Sequence, residues 1–390
     1  MMGGLLDRVI IANGRVITPW QILEKGIVVV EEEKIAEVGK GFEPFEESEA
    51  TLIDATGSTV APGYIDIHVH GGAGNDTMDA VPQAIRAMAR FFSSHGVTAF
   101  LPTTVTASKE AILAAIENAA LCQREQTGGA QVLGVHLEGP YVSANKPGAQ
   151  PVQFIRPADP DEYCEFFSWN NIKVITLAPE IPENKELITY AVQQGATVAV
   201  GHSAASYDEV LAAVRLGLSH SVHTFNGMGG LHHREPGTVG AVLTCDEITA
   251  EVIADNIHVH PAVIKLLVRA KGVERMVLMT DAIRAAGMAD GAYDLGGQVV
   301  TVKEGVARIA TGSLAGSTLS MDRAVPNAIA AADLSLAEAL RMASYNPARV
   351  IGMEEKKGSL KPGKDADIVL LDDELKVVLT MVGGKVVYQV

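Results

Sequence analysis

Residues 64–71, YIDIHVHG, form a short apolar segment that ends in two histidines one residue apart. Because side chains alternate along a β-strand, His68 and His70 lie on the same face. Seven similar segments follow, mostly separated by stretches with helical signals. The eight units predict an α/β fold with a (β/α)8 TIM-type barrel. The later strand segments are VTAFLPT (97–103), QVLGVHLE (131–138), IKVITLA (172–178), ATVAVGH (196–202), LSHSVHTF (218–225), ITAEVIAD (248–255) and RMVLMTD (275–281).

The two ends of the chain differ from this middle region. Residues 5–60 and 358–390 contain short Val/Ile-rich runs without a helical period, and Gly383–Gly384 predicts a tight hairpin turn. Since the termini of a domain often lie close together, both ends are expected to form one small β-sandwich domain. The predicted boundaries are 1–60 and 351–390 for that discontinuous domain and 61–350 for the barrel.

Several signals between the strands concern helices and loops. Ser206-x-x-Glu209 and Ser335-x-x-Glu338 are capping boxes that predict helix starts. The second helix is expected to end before Asn346-Pro347. The Gly-rich segments 226–247 and 282–320 are expected to be loops that carry functional residues.

Composition excludes several classes of protein. The 390 residues include 31 basic and 47 acidic side chains, a formal charge of −16, and only 5% aromatic residues, which argues against nucleic-acid binding. Three cysteines without CxxC spacing indicate reduced thiols rather than a disulfide framework. Neither a secretory signal nor an apolar run of about 18 residues is visible. These features predict a cytoplasmic protein that does not cross a membrane.

Metal-capable side chains recur where the predicted barrel strands end, which is where barrel active sites form. Imidazole and carboxylate groups together suit a borderline divalent cation with a position left for water. Each residue alone has a structural interpretation, such as a helix cap, but all of them fall on one face of the barrel. The sequence therefore predicts a metal site built from His68, His70, Glu138, His202, His223 and Asp281.

These motifs resemble the amidohydrolase superfamily, and more narrowly its N-acetylglucosamine-6-phosphate deacetylase family. The resemblance covers nearly the whole chain, and its LEGP, GHS and FNGM…REPG stretches are far more specific than the HxH pair. It implies hydrolysis of the acetamide of a phosphorylated amino sugar by metal-activated water. The matching segments are PGYIDIHVHG, HLEGPYVSANKPGAQ, TLAPE, GHSAASYDE, HTFNGM, HHREPG, IADNIHVHP, TDAIRAAG, TGSLAGSTLSM and NPARVIG followed by GSLKPGKDADIV.

The resemblance also implies a role for each matching residue. Glu138, His202 and His223 match the principal metal ligands, His68 and His70 match a pair found in members that hold a second metal, and Asp281 matches the catalytic acid/base. One or two ions per subunit, zinc or iron, are compatible with these donors. The residues that match substrate contacts are Asn226, the backbone of Gly227, Arg234, His258, and the backbone of Leu314 and Ala315.

Two features of the resemblance bear on partners and on catalysis. In the family the arginine at Arg234 reaches in from a neighbouring subunit, which implies a homodimer. Some members carry a histidine after the LEGP loop that polarises the acetyl carbonyl, whereas this chain has Gln150. A neutral amide is a weaker donor, so more of the carbonyl activation is expected to come from metal.

Three other interpretations are weighed. Members that cleave cyclic amides commonly use a carboxylated lysine at the end of strand four, but TLAPE (176–180) ends that strand here and Lys173 lies at its opposite end. The galactosamine epimer stays open as a substrate, because one hydroxyl orientation cannot be read from these residues. A non-catalytic scaffold is disfavoured, because such proteins typically lose ligands and this chain retains them all.

Overall fold

The computed structural model describes residues 8–19, 21–41 and 50–390. Within them, no helix is long and apolar enough to cross a membrane. The strands are β1 (Arg8–Ile17), β2 (Ile22–Glu31), β3 (Lys34–Lys40), β4 (Thr51–Asp54), β5 (Thr59–Pro62), β6 (Tyr64–Val69), β7 (Gly71–Gly72), β8 (Asn75–Asp76), β9 (Val97–Pro102), β10 (Gln131–Val132), β11 (Val135–Glu138), β12 (Ile172–Leu177), β13 (Thr197–Val200), β14 (Leu218–Ser221), β15 (Thr249–Ile253), β16 (Met276–Met279), β17 (Gly291–Leu295), β18 (Gln298–Lys303), β19 (Val306–Ile309), β20 (Ile368–Leu371), β21 (Val377–Val382) and β22 (Lys385–Gln389).

The α-helices lie mainly between the strands of the middle region. They are α1 (Pro82–Ser94), α2 (Lys109–Gln123), α3 (Pro160–Phe167), α4 (Asn184–Gln193), α5 (Tyr207–Val214), α6 (Gly237–Thr244), α7 (Pro261–Lys271), α8 (Met321–Ala332), α9 (Leu336–Leu340) and α10 (Asn346–Val350).

Strands from both ends of the chain share one sheet, in the order β22-β21-β20-β5-β1-β2-β3 with β4 beside β1. The antiparallel pairing of β5 with β20 joins the N-terminal strands to the C-terminal ones. Gly383 and Gly384 form the turn between β21 and β22, with φ of 50° and 76°, as the sequence predicts. The domain boundaries at 1–60 and 351–390 remain a prediction, and residues 1–7, 20 and 42–49 lie outside the described part of the chain.

A buried ion-pair cluster lies beside this sheet. Lys357, whose side chain is only 3% exposed, places Nζ 2.6 Å from Asp367 and 2.9 Å from Asp365. Burial alone would lower the pKa of Lys357, but the two carboxylates raise it. The lysine therefore stays charged beside the buried Asp367, while Asp365 also pairs with Lys34 at 2.6 Å.

Replacing this lysine is expected to destabilise the protein strongly. Lys357→Met keeps the apolar stem but leaves the buried Asp367 without its cation, while Asp365 keeps Lys34. We expect a loss of about 3–5 kcal/mol in the free energy of unfolding, measured by urea denaturation. As a control, Lys376→Met removes a solvent-exposed pair with Glu374 and should leave unfolding close to wild type. Equal effects of the two substitutions would contradict this assignment.

All eight strands predicted for the middle region are present as parallel strands. β6, β9 and β10 form one sheet, and β11 to β16 form a second sheet in sequential order. The third predicted strand is split into β10 and β11 at Gly134, whose φ is 151°. A parallel bridge between Thr103 and His136 connects the two sheets. The middle region is therefore a curved parallel α/β arrangement whose strand ends face the same side.

The capping boxes are confirmed, but one predicted helix end is wrong. Ser206 and Ser335 each accept a hydrogen bond from the backbone of the glutamate three residues later, and that glutamate bonds back. The helix after Ser335 does not end before Asn346-Pro347, because a π-helical turn at Arg341–Tyr345 leads directly into α10. Pro347 follows the π-helical turn after one residue, so its missing N–H falls where the regular i→i−4 hydrogen-bond pattern is already interrupted.

Both segments expected to be loops contain regular structure. Residues 226–247 include α6, and residues 282–320 include the antiparallel sheet β17-β18-β19. Alternation along β18 explains the second case, since Val300 and Val302 face a small core with Leu295 and Ala315. This three-stranded sheet stands over the ends of the parallel strands, where Leu295 lines a cavity.

Candidate metal centre and substrate cavity

Glu138, at the end of β11, is the point where the predicted metal ligands meet. The residue is 1% exposed and its two oxygens face four imidazoles and one amide. The contacts of Oε1 are His223 Nε2 at 3.0 Å, His68 Nε2 at 3.4 Å and His202 Nε2 at 3.4 Å, and those of Oε2 are Gln150 Nε2 at 2.7 Å and His70 Nε2 at 3.3 Å.

The other ring nitrogens of three of these histidines are held by protein acceptors. His202 Nδ1 lies 3.0 Å from the carbonyl of Lys146, and His223 Nδ1 lies 3.1 Å from the carbonyl of Asn226. His68 Nδ1 lies 2.9 Å from a carboxylate oxygen of Glu251. Each Nδ1 therefore carries a proton, and Nε2 is the nitrogen that faces Glu138 and that a cation can bind.

The backbone at these strand ends is unusual. His202, His223 and Asp281 have φ of 45°, 28° and 50°, in the left-handed region that L-residues other than Asn and Asp seldom adopt. Such conformations persist only where the surroundings impose them, and they concentrate at functional sites. Hydrogen bonds fix Asp281 on both sides, since its N–H donates to His68 and its carbonyl accepts from Ser317.

The charged residues of the site shift one another's pKa values. Burial alone would lower the pKa of His70, but hydrogen bonds and charges from Asp281 and Glu138 raise it to about 10. Burial alone would raise the pKa of Glu138, but His68, His202 and His223 hold it well below its usual range. The pKa of Asp281 is likewise lowered, mainly by the hydrogen bond from His70 against the effect of burial. Both carboxylates are thus ionised at neutral pH.

The donor set fits a divalent cation. His68 Nε2 is buried without a hydrogen-bond partner, and it faces Glu138 Oε1 at 3.4 Å and Asp281 Oδ1 at 3.7 Å. In the described part of the chain, two triads have ligand atoms within 4.8 Å of one another, and both contain His68. They are His68, His70 and Asp281, and His68, Glu138 and His223. His202 belongs to neither triad but contacts Glu138.

These pKa directions predict that metal uptake releases protons. His70 is protonated at pH 7 in the metal-free protein, because its pKa is raised to about 10. A cation can bind His70 Nε2 only after the proton on that nitrogen leaves. Zinc affinity should therefore rise with pH from 6 toward 9. A weakly buffered titration with an indicator dye should record about one proton or more per bound ion. Metal affinity independent of pH would contradict this model.

A cavity of about 270 Å³ opens beside this centre. Five of the predicted substrate residues line it, namely Gln150, Asn226, Gly227, His258 and Leu314. Two others do not. Arg234 is exposed, with Nη1 2.7 Å from His233 Nε2, and Ala315 is fully buried with its N–H donated to Ala307. Among the described residues that line this cavity, none is a lysine or arginine.

The sequence of residues 59–387 matches the model of the amidohydrolase family. The chain belongs to this family. Its metal-capable His, Glu and Asp groups lie where an amidohydrolase built on parallel strands has its site, at the carboxyl ends of those strands.

Individual amidohydrolases resemble the chain over most of its length. The N-acetylgalactosamine-6-phosphate deacetylase of Escherichia coli O157:H7 is 46% identical over 330 residues, 84% of this chain and 87% of the relative. The N-acetylglucosamine-6-phosphate deacetylase of Bacillus subtilis (strain 168) is 36% identical over 394 residues, 98% of each chain. A solved structure of an N-acetyl-D-glucosamine-6-phosphate deacetylase mutant from Mycobacterium smegmatis superposes with a TM-score of 0.92 at 32% identity, covering 98% of this chain and 100% of the other.

In this amidohydrolase Gln150 has a different set of contacts from the one expected. Its Nε2 donates to Glu138 Oε2 at 2.7 Å, and its Oε1 accepts the N–H of Thr106 at 2.8 Å. The amide is therefore clamped between backbone and carboxylate, and one N–H stays free of a protein partner. Gln150 orients Glu138, and its part in polarising an acetyl carbonyl stays a prediction.

Several polar residues of the site were not identified from the sequence. Glu251 lies in β15 with 0% exposure and bonds to His68 and His220. Asp255 places Oδ2 2.7 Å from His258 Nδ1 and so fixes that imidazole at the cavity wall. A glutamate within the otherwise apolar run ITAEVIAD was the available signal, because such a charge is buried only when it is partnered.

Four histidines outside the predicted metal ligands and substrate contacts have protein partners, namely His95, His136, His220 and His260. His136 bonds to the carbonyl of Ile67 and to Thr176, and burial, together with the charge of His68, lowers its pKa to about 3. His95 pairs with Asp322, and His260 caps α7. His220 also has partners, but through Glu251 it connects to the metal-capable group.

Proposed function

We propose that this amidohydrolase is a metal-dependent deacetylase of N-acetylglucosamine 6-phosphate, yielding glucosamine 6-phosphate and acetate. The observation that carries the proposal is the convergence of four imidazoles on the buried Glu138 beside a cavity that Asp281 also lines. It is supported by relatives of 36% to 46% identity whose names specify the deacetylation of 6-phosphorylated N-acetyl amino sugars.

The chain's own residues account for the proton movements of amide hydrolysis. A divalent ion held by the His, Glu and Asp groups would act as a Lewis acid toward water and the acetyl carbonyl. Asp281, ionised and at the cavity wall, takes a proton from the attacking water. As the C–N bond breaks, the same carboxyl returns the proton to the leaving amine, so acetate and a free amino sugar result. Gln150 orients Glu138, and the His258–Asp255 pair orients the sugar.

The phosphate requires a cation that the cavity itself does not supply. The lining residues that the structure describes include no lysine or arginine, while Arg234 lies exposed in the basic stretch His232–Arg234. We infer that the chain forms a homodimer in which Arg234 reaches the partner's cavity. This arrangement would place a guanidinium on the phosphate without adding charge beside the metal ligands.

Arg234→Ala is therefore expected to weaken substrate binding more than turnover. A charged hydrogen bond contributes about 1.5–3 kcal/mol, so KM for the phosphorylated sugar should rise by about 10- to 100-fold with kcat little changed. The unphosphorylated sugar should show no such change in KM. An unchanged KM for the phosphorylated sugar would place the phosphate elsewhere.

Mixing two variants tests whether Arg234 completes the cavity of the partner subunit. Hybrid dimers of Arg234→Ala with Asp281→Asn contain one cavity with both residues intact if the arginine acts in trans. Low-substrate activity should then rise after the subunits are mixed, denatured and refolded together. Absence of any gain, with hybrid dimers demonstrated, would show that Arg234 acts in its own subunit.

N-acetylgalactosamine 6-phosphate is a second candidate substrate with support of its own. The relative that specifies the galactosamine epimer is 46% identical to the chain, above the 36% of the glucosamine-specific one described. Acetate release should be measured from both phosphorylated epimers and from unphosphorylated N-acetylglucosamine, before and after chelation. We expect chelator-sensitive release that requires the phosphate and is faster for the glucosamine epimer. Release only from the galactosamine epimer would reverse the assignment, and no release with metal bound would refute it.

The finer architecture and the metal are part of the same proposal. We infer that β6 and β9 to β16 close into a (β/α)8 barrel, supported by the Thr103–His136 bridge and by the hydrogen bond from Asp281 N–H to the carbonyl of His68. The shared terminal sheet supports a small β-sandwich domain. Zinc or iron, one or two ions per subunit, suits the His and carboxylate donors. A cytoplasmic location is likewise proposed.

A further inference from the structure

Glu251 is a buried carboxylate with no assigned part in the proposed reaction. It lies in β15 with 0% exposure, yet it contacts groups from two other strands. Its Oε2 lies 2.9 Å from His68 Nδ1 and accepts the backbone N–H of His223 at 3.3 Å. Its Oε1 lies 3.0 Å from His220 Nε2. One carboxylate therefore holds the side chain of one candidate metal ligand and the backbone of another.

The contact with His68 has a chemical consequence. Because a carboxylate only accepts hydrogen bonds, His68 carries a proton on Nδ1, and Nε2 is therefore the nitrogen that a cation can bind. That Nε2 lacks a hydrogen-bond partner and faces Glu138 and Asp281. His68 is also the residue common to both metal-capable triads. Whatever fixes the His68 ring therefore affects every ion that either triad holds.

We propose that Glu251 is a positioning residue that fixes the tautomer and orientation of His68 for metal binding. The same oxygen also holds the left-handed backbone of His223, whose φ is 28°. The inference rests on the proposed metal site but not on the identity of the substrate. Outer carboxylates of this kind typically change metal affinity by about 10- to 100-fold when they are removed.

Two substitutions at this position separate hydrogen bonding from charge. Glu251→Gln can keep its carbonyl on His68 and His223 while its amide turns to His220. His220 can then accept on Nε2 and donate from Nδ1 to Thr249 Oγ1, which lies 2.6 Å away and itself donates to Ser219. Glu251→Met has similar length and no comparable acceptor, so His68 loses the group that fixes its tautomer.

The first measurement uses metal-free wild-type protein. Histidine ¹⁵N–¹H spectra, assigned with a His68→Gln variant, should show His68 protonated on Nδ1 with a strongly downfield N–H resonance. That signal should persist in Glu251→Gln and vanish in Glu251→Met. Glu162→Met is the matched control, because Glu162 is a buried carboxylate that bonds to Tyr141 and Arg156 away from the site. It should retain the signal.

The second measurement is zinc affinity by competition with a chromophoric chelator. Glu251→Met should bind zinc about 10- to 100-fold more weakly than wild type, and Glu251→Gln should recover most of that loss. A wild-type His68 without a proton on Nδ1 would overturn the proposal even if no variant folds. Wild-type zinc affinity in folded Glu251→Met would also overturn it. If both measurements come out as expected but the protein releases no acetate, the role of Glu251 stands and only the proposed substrate is refuted.

Discussion

Asp281→Asn is expected to lower kcat by about 10²- to 10⁴-fold while the protein still binds metal, because the asparagine cannot accept a proton. The substitution is nearly isosteric, and asparagine tolerates the φ of 50° at this position as well as aspartate does. Both backbone hydrogen bonds of residue 281, to His68 and from Ser317, are unaffected by the change. Its amide oxygen can also keep the 3.3 Å contact with His70.

The measurement that decides this combines single-turnover acetate release with metal content determined on the same sample. Asp322→Asn is a suitable control, because that aspartate pairs with His95 on the outer layer and lines no part of the cavity. It should leave turnover unchanged. Full activity of Asp281→Asn with metal bound would remove Asp281 from the mechanism, and loss of metal would show that its role is ligation rather than proton transfer.

Local pattern accounts for most of what the sequence predicts correctly. Alternation along 64–71 places His68 and His70 on one face, and the ends of the other strands bring Glu138, His202 and His223 to the same point. In a parallel sheet all strand ends share one edge, so a list of strand-end residues is close to a list of the site. The convergence of these side chains follows from the alternation of side chains along each strand together with the parallel order of the strands.

The features that sequence did not predict depend on contacts between distant segments. His68 and Glu251 are 183 residues apart, and no local period indicates that they bond. Gln150 lines the cavity, and its bonds to Thr106 and Glu138 are contacts that no local pattern indicates. The sheet β17-β18-β19 was missed because glycines at its turns outweighed the alternation of β18.

Glu138→Gln is expected to weaken metal binding strongly and to lower turnover with it. The carboxylate is the shared acceptor of four imidazoles and one amide, and the neutral glutamine leaves the buried, proton-rich cluster without its central negative charge. Removing an outer carboxylate already lowers metal affinity by about 10- to 100-fold, and Glu138 faces the metal-capable nitrogens directly. We therefore expect a loss of at least about 100-fold in zinc affinity.

The response to excess metal distinguishes the two variants. Because Glu138→Gln is expected to fail through affinity, raising the zinc concentration should restore part of its acetate release by mass action. Asp281→Asn fails through proton transfer, so the same zinc should restore nothing. Glu162→Gln, a buried carboxylate outside the cavity, should match wild type in zinc affinity. If Glu138→Gln bound zinc normally, the convergence on Glu138 would be a hydrogen-bond network, and the metal would have to be held by His68, His70 and Asp281 alone.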